Sequence, residues 1–140
     1  MKIVLMADNR KYDLLVNFCI AYQQMLGKHS LLSVMNVAQL LENNTSLKVD
    51  QLNMDVVAGL DQLASLARYD EVDAVFYLRE PSDHSYNPAD PRAQRYSSAN
   101  NLFDSCDYNS IPYATNIATA ELLILAIDRG DLDWRNLLRP

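Results

Sequence analysis

Residues able to move protons or hold anions are confined to a few short stretches of the chain. The polar segment 79–95 carries His84, one of two histidines, with Arg92 and Arg95 close behind it. An imidazole changes charge near neutrality and can donate a proton. A guanidinium can grip a carboxylate or phosphate through two parallel hydrogen bonds. Asp8-Asn9-Arg10-Lys11 sets two cations beside a pair of turn formers, and that pair equally suits a strand-end turn capping the next helix. Asn116 and Thr119 stand where a strand gives way to a helix, so a side-chain oxygen can cap free backbone N–H groups there. A helix N-terminus prepared in this way is also a ready anion site. The chemistry these types suggest is the binding of a small anionic molecule, with proton transfer to it.

Apolar periodicity supplies the elements that must position these groups. Lys2–Met6 is a continuous apolar run, as expected of a parallel strand covered on both faces. Asp13–Leu26 has helical spacing and ends at Gly27. Ser30–Val34 reads as a second strand, Val37–Asn43 as a short helix and Leu47–Val49 as a short third strand. Asp55–Tyr69 carries Val56, Leu60, Leu63 and Leu66 on one stripe and reads as a helix. Ala74–Leu78 is the central strand by composition, apolar throughout. The proline-punctuated stretch 79–95 follows as a long loop, then a helix over Tyr96–Tyr108, a strand over Tyr113–Thr115 and a helix over Thr119–Arg129. Alternating strands and helices predict a three-layer α/β domain over residues 1–140, with a mostly parallel sheet and helices on both faces. Ligands of such sheets sit outside the carboxyl ends of the strands. That rule selects Ala7–Tyr12, Val34–Ala38, the 79–95 loop and Asn116–Thr119.

Composition narrows the partners. A chain of 140 residues buries an adequate core without staples. Its net charge of −6, without clustered Lys and Arg, argues against a nucleic-acid surface. No apolar run is long enough to span a membrane, and the opening Met1–Met6 stops at Asp8 without a cleavage site, so a cytoplasmic location is expected. Cys19 and Cys106 are too few for a disulfide framework or a zinc site. Neither a metal nor a cofactor is expected.

The segment Ile111-Pro112-Tyr113-Ala114-Thr115-Asn116-Ile117-Ala118-Thr119-Ala120-Glu121 resembles the methylglyoxal synthase pattern, in which Ile-Pro-Val-Ala-Thr-Asn precedes Val-Ala-Thr-Ala-Asp. Val72–Pro81 is similar to the family's strand ending in Trp-Asp-Pro, and Ile3–Ala7 lines up with its first strand. The resemblance implies the flavodoxin-like α/β domain of that family. It also implies a homo-oligomer, with a hexamer as the family's common form. The family converts dihydroxyacetone phosphate to methylglyoxal and phosphate. A carboxylate removes a carbon-bound proton, donors hold the developing oxyanion, and a cradle holds the phosphate.

Carried over residue by residue, the resemblance puts Asp8 at a histidine position and Asn9 at an aspartate position of the first loop. Tyr12 stands where lysine is expected, while Lys11 or Arg10 can supply the positive charge. The phosphate cradle Thr-Gly-Thr-Thr-Gly becomes Val34-Met35-Asn36-Val37-Ala38, where only Asn36 keeps a side-chain donor. Gly59-Leu60-Asp61-Gln62 resembles Gly-Gly-Asp-Gln with one residue of slack, making Asp61 the implied base; without the slack, Leu60 takes its place. His84 is the histidine of the long loop. The implied site is therefore Asp61 and His84 for catalysis, with Asp8, Asn9, Lys11, Asn36, Arg92, Asn116 and Thr119 for ligand binding.

Two functions follow. One is a protein that lacks the synthase activity and binds a small, phosphorylated or otherwise anionic metabolite, as a regulatory domain. The other is a divergent lyase releasing phosphate from dihydroxyacetone phosphate.

Overall fold

In the computed structural model, which describes residues 1–138, five strands form one wholly parallel sheet. They are β1 (Lys2–Ala7), β2 (Ser30–Val34), β3 (Asp50–Leu52), β4 (Ala74–Leu78) and β5 (Tyr113–Ala114), in the order β3-β2-β1-β4-β5. The helices are α1 (Tyr12–Ala21), α2 (Gln23–Leu26), α3 (Met35–Asn44), α4 (Val56–Arg68), α5 (Arg92–Tyr108) and α6 (Ile117–Arg129). The chain steps outward from β1 to β3, then crosses to β4 and β5. Right-handed crossovers accordingly set α1 and α3 on one face and α4 and α5 on the other, and each pair packs together.

The three-layer class is the expected one, while the strand order departs from the flavodoxin order 2-1-3-4-5. The reason is burial. The strand beside β1 must be apolar on both faces, and all five residues of β4 are buried. β3 is Asp-Gln-Leu with its first two residues exposed, which suits an edge. The third strand also lies at Asp50–Leu52 rather than Leu47–Val49. Leu47 and Val49 are buried core residues of the approach to it. The helix expected over 13–26 breaks at Tyr22 into α1 and α2. The segment expected as a loop to residue 95 ends at Pro91, because α5 starts at Arg92.

Alternation along β4 decides what its neighbours see. Phe76 packs on Phe18 of α1, with ring centroids 5.4 Å apart, and Tyr77 packs on Phe103 of α5 at 5.6 Å. Cys19 and Cys106 are buried and free, and burial pushes both thiols up to about 12, so they are inert packing groups. At the amino end of the sheet, buried Arg135 pairs with Asp70 at 2.7 Å and donates to the Ser110 carbonyl at 2.6 Å. No helix among the described residues is long and apolar enough to cross a membrane.

Candidate functional site

β1 leads into α1 on one face, and its neighbour β4 leads into α5 on the other. Their carboxyl ends therefore frame the crevice where such sheets bind ligands. Asp8 follows β1 directly and is fully buried. Its Oδ1 accepts from the Tyr77 hydroxyl at 2.7 Å, and its Oδ2 accepts from the Glu80 N–H at 2.8 Å and from His84 Nε2 at 2.6 Å. Three donors satisfy a carboxylate that burial alone would make very costly. Burial, and then the Asp8 charge and hydrogen bond, push the Tyr77 phenol far above its ordinary value. It therefore stays a donor at any physiological pH.

The imidazole of His84 is equally enclosed, its side chain 2% exposed. An ionised carboxylate can only accept, so Nε2 carries the hydrogen shared with Asp8. The other ring nitrogen, Nδ1, is buried without a hydrogen-bond partner. The ring packs edge-on against Tyr77 and Tyr96, with centroids 6.4 and 6.0 Å away. Arg95 of α5 reaches toward the same carboxylate, its Nε 4.0 Å from Asp8 Oδ1. Sequence reasoning missed Tyr77, whose signal was a phenol inside an otherwise apolar strand.

Residues 79–91 are strapped to the turn after β1. Lys11 pairs with Glu80 at 3.7 Å, and Arg10 pairs with Asp83 at 3.4 Å and donates to the Ser82 hydroxyl at 3.2 Å. Hydrogen bonds from Ser82, then the charges of Lys11 and Arg10, hold the Glu80 carboxyl below its usual range. Arg92 is exposed; it pairs with Asp90 at 2.7 Å and donates to the Ser82 carbonyl. That pairing lowers Asp90 from 3.8 to about 2. Lys11 and Arg92 are thus already engaged by carboxylates of the strap.

The turn after β2 is built from different material. Val34 ends the strand, and α3 begins at Met35 with no side-chain cap. A Cβ placed on Gly59 of α4 would lie 2.3 Å from Val34 Cγ1, so these two positions are packed as closely as backbone and methyl allow. Asn36 is exposed and donates to the Tyr12 hydroxyl at 3.2 Å. Asp61 is exposed on α4 and lines an open cleft of about 610 Å³ with Asp55, Val56, Val57, Ala58 and Gln94. No hydrogen bond joins it to His84. Asn9 lies exposed in a 3-10 turn. Asn116 caps α6, its Oδ1 accepting from the Thr119 N–H at 3.0 Å. Of the residues selected from sequence, Asp8 and His84 meet directly, and Lys11 joins them through Glu80. Asp61 and Asn36 face separate depressions. Among the described residues no group of three His, Cys, Asp or Glu is placed to hold a metal ion.

A parallel 3-2-1-4-5 sheet with a buried ionic cluster at its switch point defines a three-layer α/β protein with its candidate site at the strand ends. No protein-family model matches the chain. Methylglyoxal synthase of Caldicellulosiruptor saccharolyticus is 41% identical over 140 residues, covering 100% of this chain and 94% of that relative. The enzyme of the same name from Thermoanaerobacterium thermosaccharolyticum is 34% identical over 139 residues, covering 99% and 98%. Among solved structures, methylglyoxal synthase from Elizabethkingia anophelis superposes with a TM-score of 0.72 at 24% identity, covering 88% of this chain and 76% of that one, which shows the shared fold. The chain belongs to the methylglyoxal synthase family.

Proposed function

We propose that the chain is a divergent carbon–oxygen lyase of the methylglyoxal synthase type, acting on dihydroxyacetone phosphate. The observation that carries this reading is the kinship over the whole length, 41% identity with 94% of a synthase covered. The Asp8–His84 pair at the switch point supports it. In this reading the Asp61 carboxylate takes a proton from the substrate carbon, giving an enediol phosphate. The carbon–oxygen bond then breaks, inorganic phosphate leaves with the bonding electron pair, and the remaining enol takes up a proton at carbon to become methylglyoxal. His84, oriented by Asp8, exchanges a proton with the substrate oxygen through Nδ1 once the 79–91 strap lifts. The protein works in the cytoplasm as a homo-oligomer, a hexamer by family habit; a monomer by light scattering at micromolar concentration would remove that part.

A second reading is favoured by one specific observation, the closure of Val34 onto Gly59. A methyl-filled turn without glycines gives a phosphate few backbone donors to approach. On that reading the chain binds a small anionic metabolite without turning it over. One experiment separates the two: purified protein with dihydroxyacetone phosphate, followed by inorganic phosphate release. Release above a heat-killed control, lost in Asp61→Asn, supports the lyase. No release at any substrate concentration sinks it and leaves the binding protein.

A further inference from the structure

Three cations around the strap each have their own carboxylate: Arg10 has Asp83, Lys11 has Glu80 and Arg92 has Asp90. Arg79 has none among the described residues. It directly follows β4, and its N–H donates to the Thr115 carbonyl at 3.0 Å, which fixes its backbone against the end of β5. Its side chain is partly buried, with the guanidinium carbon 5.9 Å from the Phe103 ring centroid. Its Nε is buried without a hydrogen-bond partner.

Arg95 comes to the same place from α5, with its side chain 19% exposed. Among the described residues its only carboxylate is Asp8, whose oxygens already accept from Tyr77, Glu80 and His84. Tyr77 packs on the same Phe103 ring at 5.6 Å, and its hydroxyl donates to the Asp8 oxygen that Arg95 approaches, so both guanidinium groups stand about one phenol. Two partly buried cations thus stand near one carboxylate that already accepts three hydrogen bonds. An excess buried charge and an unpaired buried donor are each costly. The mouth of this cluster is aromatic: Tyr86, 82% exposed, lies with its ring centroid 4.4 Å from that of Tyr96, and Tyr96 covers His84. Planar guanidinium forks are suited to an oxyanion held bidentately.

We propose that Arg79 and Arg95 form a binding site for the oxyanion of a small metabolite, a carboxylate or a phosphate, beneath the Tyr86–Tyr96 pair. This site lies on the β4–β5 side of the switch point, away from the turn after β2 where the family resemblance implies a phosphate cradle. It does not rest on the lyase reading, because binding needs no turnover.

The test is calorimetric titration of the full chain, at low ionic strength, with malonate in one arm and inorganic phosphate in the other. At least one should bind, and the tighter of the two identifies the oxyanion. Arg79→Gln and Arg95→Gln should each weaken that binding by about 10- to 100-fold, the range for a hydrogen bond to a charged group. Arg79→Lys keeps the charge, loses the planar fork and should fall between. Arg129→Gln, which alters an exposed pair with Asp131, should bind like the parent. Circular dichroism and thermal melts establish that each variant is folded, and with two arginines to change, one misfolded variant does not decide the matter. The proposal is overturned if neither anion binds at millimolar concentration. It is equally overturned if the folded arginine variants bind like the parent, whether or not dihydroxyacetone phosphate is consumed.

Discussion

Beyond β1 and β4 the chain gathers Asp8, Tyr77, Arg79, His84 and Arg95, whereas beyond β2, one strand away, it sets Val34 against Gly59 and starts a helix with no cap. The first region is polar, enclosed and held by hydrogen bonds of 2.6–2.8 Å. The second is held by methyl contact and opens on a depression of about 440 Å³ lined by Met35, Asn36, Asn53, Met54, Asp55 and Val56. Both sit at strand ends where a ligand belongs, so position in the fold does not distinguish them. Chemistry does: the first gathers charged and titratable side chains, and the second offers mainly apolar surface.

The contrast fails or hardens under substitution, and the largest effect is expected at Asp8. Replacing a buried, fully bonded carboxylate strands its donors, so Asp8→Ala should lower the unfolding free energy by about 3–5 kcal/mol in urea titrations. A loss under about 1 kcal/mol would mean that the cluster is not the anchor described. Tyr77→Phe removes one donor to that charge and should cost about 1.5–3 kcal/mol, with the fold intact. At the apolar turn, Gly59→Ala drives a methyl into Val34 and should cost about 1–3 kcal/mol. Adding Val34→Ala should recover part of that loss, so the double variant loses less than the sum of the two singles. Strict additivity would show that the two positions are not in contact.

Smaller effects concern exposed groups. Asp61→Asn should change stability by less than about 0.5 kcal/mol, as surface substitutions do, which makes any loss of phosphate release a statement about chemistry. The last prediction is a pH effect. The Arg92 hydrogen bonds lower Asp90 from 3.8 to about 2, so the stability that this pairing adds is complete above 3.8 and is lost as the pH falls through about 2. A carbon-detected NMR titration of Asp90 with a midpoint at its ordinary value would show that the clamp does not form in solution.

Strand and helix positions were largely legible because each rests on local pattern. The apolar runs of β2 and β4 mark those strands to the residue, and the stripe of Val56, Leu60 and Leu63 marks α4. β3 was misplaced by a few residues because Leu47 and Val49 are as apolar as a strand and are buried without being one. The start of α5 was hidden because Arg92, Gln94 and Arg95 have no apolar face to reveal a period.

Sequence alone determined the alternation of elements, the parallel sheet, the family and the apolar nature of the β2 turn, since each is written in neighbouring residues or in a run of them. Only the tertiary structure decided that Asp8 and His84, 76 positions apart, share a hydrogen bond, and that Tyr77 completes it. It also decided that Arg92, a selected ligand-binding residue, is spent on Asp90 and that Arg79, not selected, has no carboxylate partner among the described residues. The reason is physical: which charge meets which is fixed by strand order and by the side of the strand a residue faces. Neither is encoded within the short stretch that contains the residue.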